Sequence, residues 1–282
     1  MGLRINTNVA SLNSQRHLGK TRLALEKTLE KLSSGSRINR SGDDAAGLAI
    51  SENLRAQIRG LGQAERNAED GISLVQIAEG GLAEHSNILI RLRELAVQAA
   101  SDTVSNTERK FLNIEFEQLL EEMDRIANST EFNRVPLLNG TGAVFDIQVG
   151  TRNDPLVDRI TFDAGSADVN TSALGLNLAS VLDKISAQNS LATIDDSILS
   201  VNGMRANFGA MQSRLQSTIN SIQISRENLS AAKSRVQDAD IAKETAELTR
   251  YNILYNAGTA VLAQANNTSR NALSLINAST NM

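Results

Sequence analysis

Residues 54–96, LRAQIRGLGQAERNAEDGISLVQIAEGGLAEHSNILIRLRELA, decide how this chain folds. Leu54, Leu61, Ala68, Val75, Leu82, Leu89 and Ala96 hold one position of a seven-residue repeat without a break, and Ile58 and Ile72 hold its companion position. A strand alternates with period two, so a sustained spacing of seven specifies a long helix with one apolar seam. The run from Asp43 to about Ala100 would extend on the order of 85 Å at ~1.5 Å per residue.

The same spacing returns in the second half. Ile194, Val201, Phe208, Leu215, Ile222, Leu229 and Val236 are seven apart, with Ile198 and Ile219 as companions. Between the two runs, Ser105-Asn106-Thr107-Glu108 has the form of a helix-opening capping box. It precedes Leu112, Phe116, Leu119, Met123 and Ile126, whose steps of four and three predict a third helix. From Asn128 to Gly175 the periodicity changes. Val144 to Val149 and Arg159 to Phe162 alternate near period two around the turn-rich segment Gly150 to Pro155, which predicts a β-hairpin lying over the helices. The fold class is therefore mainly α, long antiparallel rods with a small β-hairpin region at about 140–165.

Composition supports this reading. The 282 residues include two Pro, no Cys and no Trp, and only 3% are aromatic. Few prolines leave long helices unbroken. With no cysteine, disulfide frameworks, zinc knuckles and thiol catalysis are all excluded. No apolar run approaches the ~18 residues of a membrane span, and Met1 to Asn6 opens no signal-peptide core, so the chain is expected to be cytosolic or to leave by a route that reads no cleaved signal. Residues 1–40 carry eight Lys/Arg against Glu26 and Glu30, but these charges do not cluster on one face and the whole chain has net charge -4, which argues against a nucleic-acid arm.

The terminal segments are amphipathic with sparser apolar content. Leu18, Leu25 and Leu32 repeat at seven with Leu29 between them, and Leu12 precedes them; Ile241, Leu248, Tyr255 and Leu262 repeat at seven near the other end. Their remaining faces are rich in Asn, Gln, Ser, Thr and Ala. Such segments bury too little to order themselves alone and are expected to become helical when neighbours cover them.

No reaction chemistry is legible. His17 and His85 are the two histidines, read as helix-surface residues, and neither has the His-Glu-x-x-His spacing of a zinc protease. Gly60, Gly62, Gly80 and Gly81 interrupt a helical repeat without a preceding strand or a following Lys-Ser/Thr, so they read as sites of close helix packing rather than phosphate loops. No catalytic, cofactor-binding or metal residue is assigned, and no small-molecule substrate is expected.

Several stretches resemble bacterial flagellin. They are Ile5 to Asn13, Leu32 to Asn39, Asp43 to Ser51, Gln63 to Gly71, Arg93 to Gln98, Ser234 to Asp240 and Gly258 to Asn266. The resemblance covers roughly the first 140 and last 110 residues, in the family's order, and the middle is shorter than in large members. It implies a non-enzymatic structural subunit that self-assembles into the helical flagellar filament, the propeller for motility, after export as an unfolded chain through the flagellar export apparatus. Residues 1–40 with 240–282 would pair as helices in the inner filament core, and 41–239 would form the surrounding rod domain. Leu12, Leu18, Leu25, Leu29, Leu32, Ile241, Leu248, Tyr255 and Leu262 would be the polymerisation core. Implied partners are further copies of the chain, an export chaperone on Ile241 to Ile276, and the filament cap and hook-filament junction proteins. The filament would be extracellular or lie under a membrane sheath. Arg91, Leu95 and Glu115 match the segment sensed by the animal toll-like receptor for flagellin, and Leu273, Leu275 and Ile276 resemble the tail sensed inside host cells. A hook-filament junction protein, which shares the paired termini, is the alternative; Ala263 to Asn266 and Arg93 to Gln98 favour flagellin.

Overall fold

The computed structural model describes residues 7–279, and the side chains of all of these except 269 and 272–279. Among the described residues five α-helices carry the fold: α1 (Val9–Ser34), α2 (Ala45–Ala99), α3 (Asn106–Ser129), α4 (Lys184–Gln237) and α5 (Ile241–Ser279). Strands β1 (Glu131–Phe132), β2 (Val135–Pro136), β3 (Val144–Gln148) and β4 (Arg159–Asp163) form two antiparallel hairpins. The chain divides into two units, residues 57–228 and residues 1–56 with 229–282.

Helix ends follow local chemistry. The Ser105 hydroxyl accepts from the Glu108 N–H while the Glu108 carboxylate accepts from the Ser105 N–H at 2.7 Å, so two donors that the first turn of α3 leaves unmatched are satisfied. Asp44 caps α2 by accepting from the Gly47 N–H at 2.8 Å, and Asp183 does the same for α4 with the Ile185 and Ser186 N–H groups. α1 ends at Gly35, whose φ of 68° is the left-handed conformation that glycine adopts without strain.

The unit of residues 57–228 has a closed core. Ala68, Val75, Leu82, Leu89 and Ala96 of α2 and Ile194, Val201 and Leu215 of α4 are all fully buried, as the seven-residue spacing requires. Phe116 and Met123 fill the seam from α3. The predicted hairpin is present as β3–β4, in register from Val144 opposite Asp163 to Gln148 opposite Arg159. It contributes Ile147, Ile160 and Phe162 to the same core, where Phe162 stacks at a tilt on Phe208 of α4 with centroids 5.2 Å apart. At Gly71 a Cβ would lie 2.6 Å from Ile147 Cδ1, so glycine there lets the hairpin approach the helix. The shorter β1–β2 hairpin, turning at Asn133 and Arg134 with φ of 49° and 66°, was outside the sequence expectation.

Two sequence readings need correction. His85 is not a surface histidine: it is fully buried, because α3 covers the face of α2 on which it lies. Close packing holds for Gly60 and Gly81, though against connecting chain rather than another helix: an added Cβ would meet Thr151 at 2.9 Å and Leu138 at 2.6 Å. It fails for Gly80, which faces open space, and Gly62 makes only ordinary contact with Arg226.

Polar contacts set the register of α3 and α4 on α2. Arg109, itself buried, donates to the carbonyls of Ala99 and Ser101 at 2.8 Å each and to Asn106, matching carbonyls that the end of α2 leaves open. Arg93 pairs with Asp195 at 2.7 Å, and Glu65 accepts from Gln223 and Arg226 of α4.

Candidate assembly surface

The unit formed by residues 1–56 and 229–282 is built differently. α1 and α5 run antiparallel, as successive contacts show: the Asn8 amide donates to the Ala265 carbonyl at 2.9 Å, the Ser11 hydroxyl to Asn266 at 2.8 Å, Leu18 lies against Gly258, and Lys31 pairs with Glu244 at 3.4 Å. The half-buried leucines of α1 contribute to this pairing, but its buried members are polar. Ser11 and Thr28 are buried in it, whereas no leucine of α1 is.

The connection after α1 is tied down by the chain that enters α5. Arg37 N–H donates to the Gln237 carbonyl at 2.7 Å, the Arg37 guanidinium to the Val236 carbonyl at 2.7 Å, and Ala239 N–H to the Gly35 carbonyl at 2.9 Å. Ile38 inserts beside Gly47 and is the one buried apolar side chain among the described residues of this unit. The Asp43 carboxylate accepts from the Arg40 and Asn39 N–H groups, and these donors hold it below the usual carboxylate range.

The sequence-predicted residues separate into two groups here. Leu18, Leu25, Leu32, Leu248, Tyr255 and Leu262 are half-buried. Leu12, Leu29 and Ile241 are about half exposed, at 57%, 48% and 53%. The apolar spacing did not single out Val9, Leu23, Ile50, Ile253, Leu254 and Val261, all of which are exposed. Their signal was a second stripe off the repeat: Leu12 and Leu23, eleven residues apart, fall on one helix face, and Leu254 and Val261 are seven apart. Exposed leucines singly are ordinary, but so many on one unit whose described residues include a single buried apolar side chain describe a surface made to be covered.

In residues 57–228 the structure brings Arg91 and Glu115 together. The guanidinium donates twice to one carboxylate oxygen, at 2.8 and 2.7 Å, and once to Glu94 at 2.9 Å, all on the exterior. Leu95 lies in the core at 1% exposure. Leu273, Leu275 and Ile276 lie outside the residues whose side chains are described. Among the described residues no group of three or more His, Asp or Glu side chains converges on a metal site, and no helix is long and apolar enough to cross a membrane.

Known proteins share this chain's features along most of its length. The family of the bacterial flagellin N-terminal helical region matches residues 5–143, and that of the bacterial flagellin C-terminal helical region matches residues 191–276. The flagellin of Halalkalibacterium halodurans is 46% identical over 96% of this chain and 99% of its own. The flagellin of Bacillus subtilis is 43% identical over 97% and 100%. The crystal structure of Bacillus cereus flagellin superposes with a TM-score of 0.50 at 33% identity, covering 60% of this chain and 94% of that one.

Proposed function

The chain belongs to the bacterial flagellin family and is a structural subunit of the flagellar filament, and we propose from that premise that the paired termini are the part that neighbouring copies complete. One observation carries the reading: among its described residues, the unit made by both termini buries a single apolar side chain, Ile38, while nine large apolar side chains are exposed. Removing that surface from water offers roughly 25 cal/mol per Å2, a driving force that only a partner can release.

In this proposal residues 1–40 and 240–282 form the inner filament core and 41–239 the surrounding rod domain. Leu12, Leu18, Leu25, Leu29, Leu32, Ile241, Leu248, Tyr255 and Leu262 are its polymerisation core, joined by Leu23, Ile253, Leu254 and Val261 from the exposed stripes. A contact between unlike faces of identical copies need not close into a ring and so propagates as a helix. The chain leaves the cell unfolded through the flagellar export apparatus, and the absence of cysteine means that no disulfide obstructs the passage. An export chaperone covers the α5 region beforehand, and cap and junction proteins bound the growing polymer. Recognition by the host receptor at Arg91, Leu95 and Glu115 would require the exposed Arg91–Glu115 pair to supply the contact, because the Leu95 side chain is buried.

Seeded elongation tests the reading. Purified monomer added to short filament seeds is expected to extend them into long filaments, and assemblies that stop after a few subunits would instead indicate a junction protein. Deleting residues 1–35 is expected to abolish elongation while far-UV circular dichroism of residues 57–228 stays helical. Normal filaments from the truncated chain would refute the assembly mechanism.

A further inference from the structure

His85 has no part in assembly as described, and its surroundings are unusual for a group that titrates near neutrality. None of its surface is exposed. Nδ1 lies 3.0 Å from the Gly81 carbonyl oxygen one turn earlier on α2, so in the neutral ring Nδ1 carries the proton and donates. Nε2 faces the Met123 carbonyl of α3 yet makes no hydrogen bond among the described residues. The charged group near the ring is Asp124 of α3, and its carboxylate is already engaged, accepting from the Thr171 N–H and hydroxyl at 2.8 Å each. One turn away the wall at Gly81 is Leu138 and Thr130, both uncharged. On α2 itself the adjacent acid, Glu84, points to the exterior.

We propose that His85 makes the seam between α2 and α3 acid-labile: a second proton on the ring puts a cation where no surface of the side chain reaches solvent, and the seam opens to hydrate it. Burial holds the folded imidazole below its ordinary range, outweighing the opposing pull of the Gly81 and Met123 carbonyls and of Asp124. As pH falls, the unfolded chain therefore takes up this proton before the folded chain does. The stability that His85 supports is complete above about pH 6.5, declines below it, and stops declining only under the lowered folded value.

Two measurements on the full-length monomer test this. In an NMR titration of the imidazole C–H signals, His85 is expected to titrate below the ordinary imidazole value of about 6.5, together with loss of α2–α3 amide protection. Titration of His85 at or above that ordinary value would overturn the proposal. Hydrogen exchange at pH 7.5 and 5.0, corrected for intrinsic rates, is the second measurement. Protection along the seam is expected to fall about tenfold for each unit of the imidazole shift in the native chain and in the His17→Gln control. That fall should vanish in His85→Gln and in His85→Leu, two neutral replacements of different polarity. An undiminished pH dependence in whichever of the two folds would equally overturn it.

Discussion

Residues 57–228 and the paired termini are written in the same seven-residue code, yet one closes a core and the other does not. α2 and α4 place fully buried residues along their seams because α3 and the β3–β4 hairpin bring Phe116, Met123, Ile147 and Phe162 to the remaining faces. Among the described residues α1 and α5 pair chiefly with each other, and two helices touch along one stripe and leave their other faces to solvent. The difference teaches that a repeat states which face is apolar, whereas closure depends on how many elements arrive to cover it.

Substitutions can break or sharpen that contrast. Leu89→Ala removes a fully buried side chain and is expected to lower the stability of residues 57–228 by about 2–5 kcal/mol, read from urea unfolding by circular dichroism. Gly71→Ala forces the Ile147 Cδ1 methyl to move, but the alanine gains about 1 kcal/mol of helix propensity within α2, so the net change in the same assay should stay within about 1 kcal/mol. Ser105→Ala removes one half of the capping box and should cost about 1 kcal/mol. Leu23→Ala in the open unit is expected to shift monomer stability by no more than about 0.5 kcal/mol, while seeded elongation slows measurably. A large loss of monomer stability from Leu23→Ala would erase the contrast.

Much of this was legible beforehand. The helical seams, the capping box at Ser105 and the hairpin from Val144 to Phe162 each rest on interactions within a few residues, which spacing reports directly. The Asn133-Arg134 turn was passed over because two-residue strands are too short to show alternation. At the assembly surface the repeat found the half-buried stripe of Leu18, Leu25 and Leu32, the one that α5 covers, and passed over exposed Leu23 and Ile253. The second stripe, with Leu254 and Val261 seven apart, is sparser, and only the pairing shows which of the two stripes is closed.

Sequence alone determined the helices, their apolar faces, the position of the hairpin and the resemblance at both ends, because propensity, capping and periodicity are local properties. The tertiary structure decided burial. It placed His85 in the buried seam under α3, turned Arg109 onto the open carbonyls of α2, joined Arg91 to Glu115 and left the described residues of the termini with one buried apolar side chain. Burial is a property of which surfaces meet, and residues distant in the chain meet only when the whole fold brings them together.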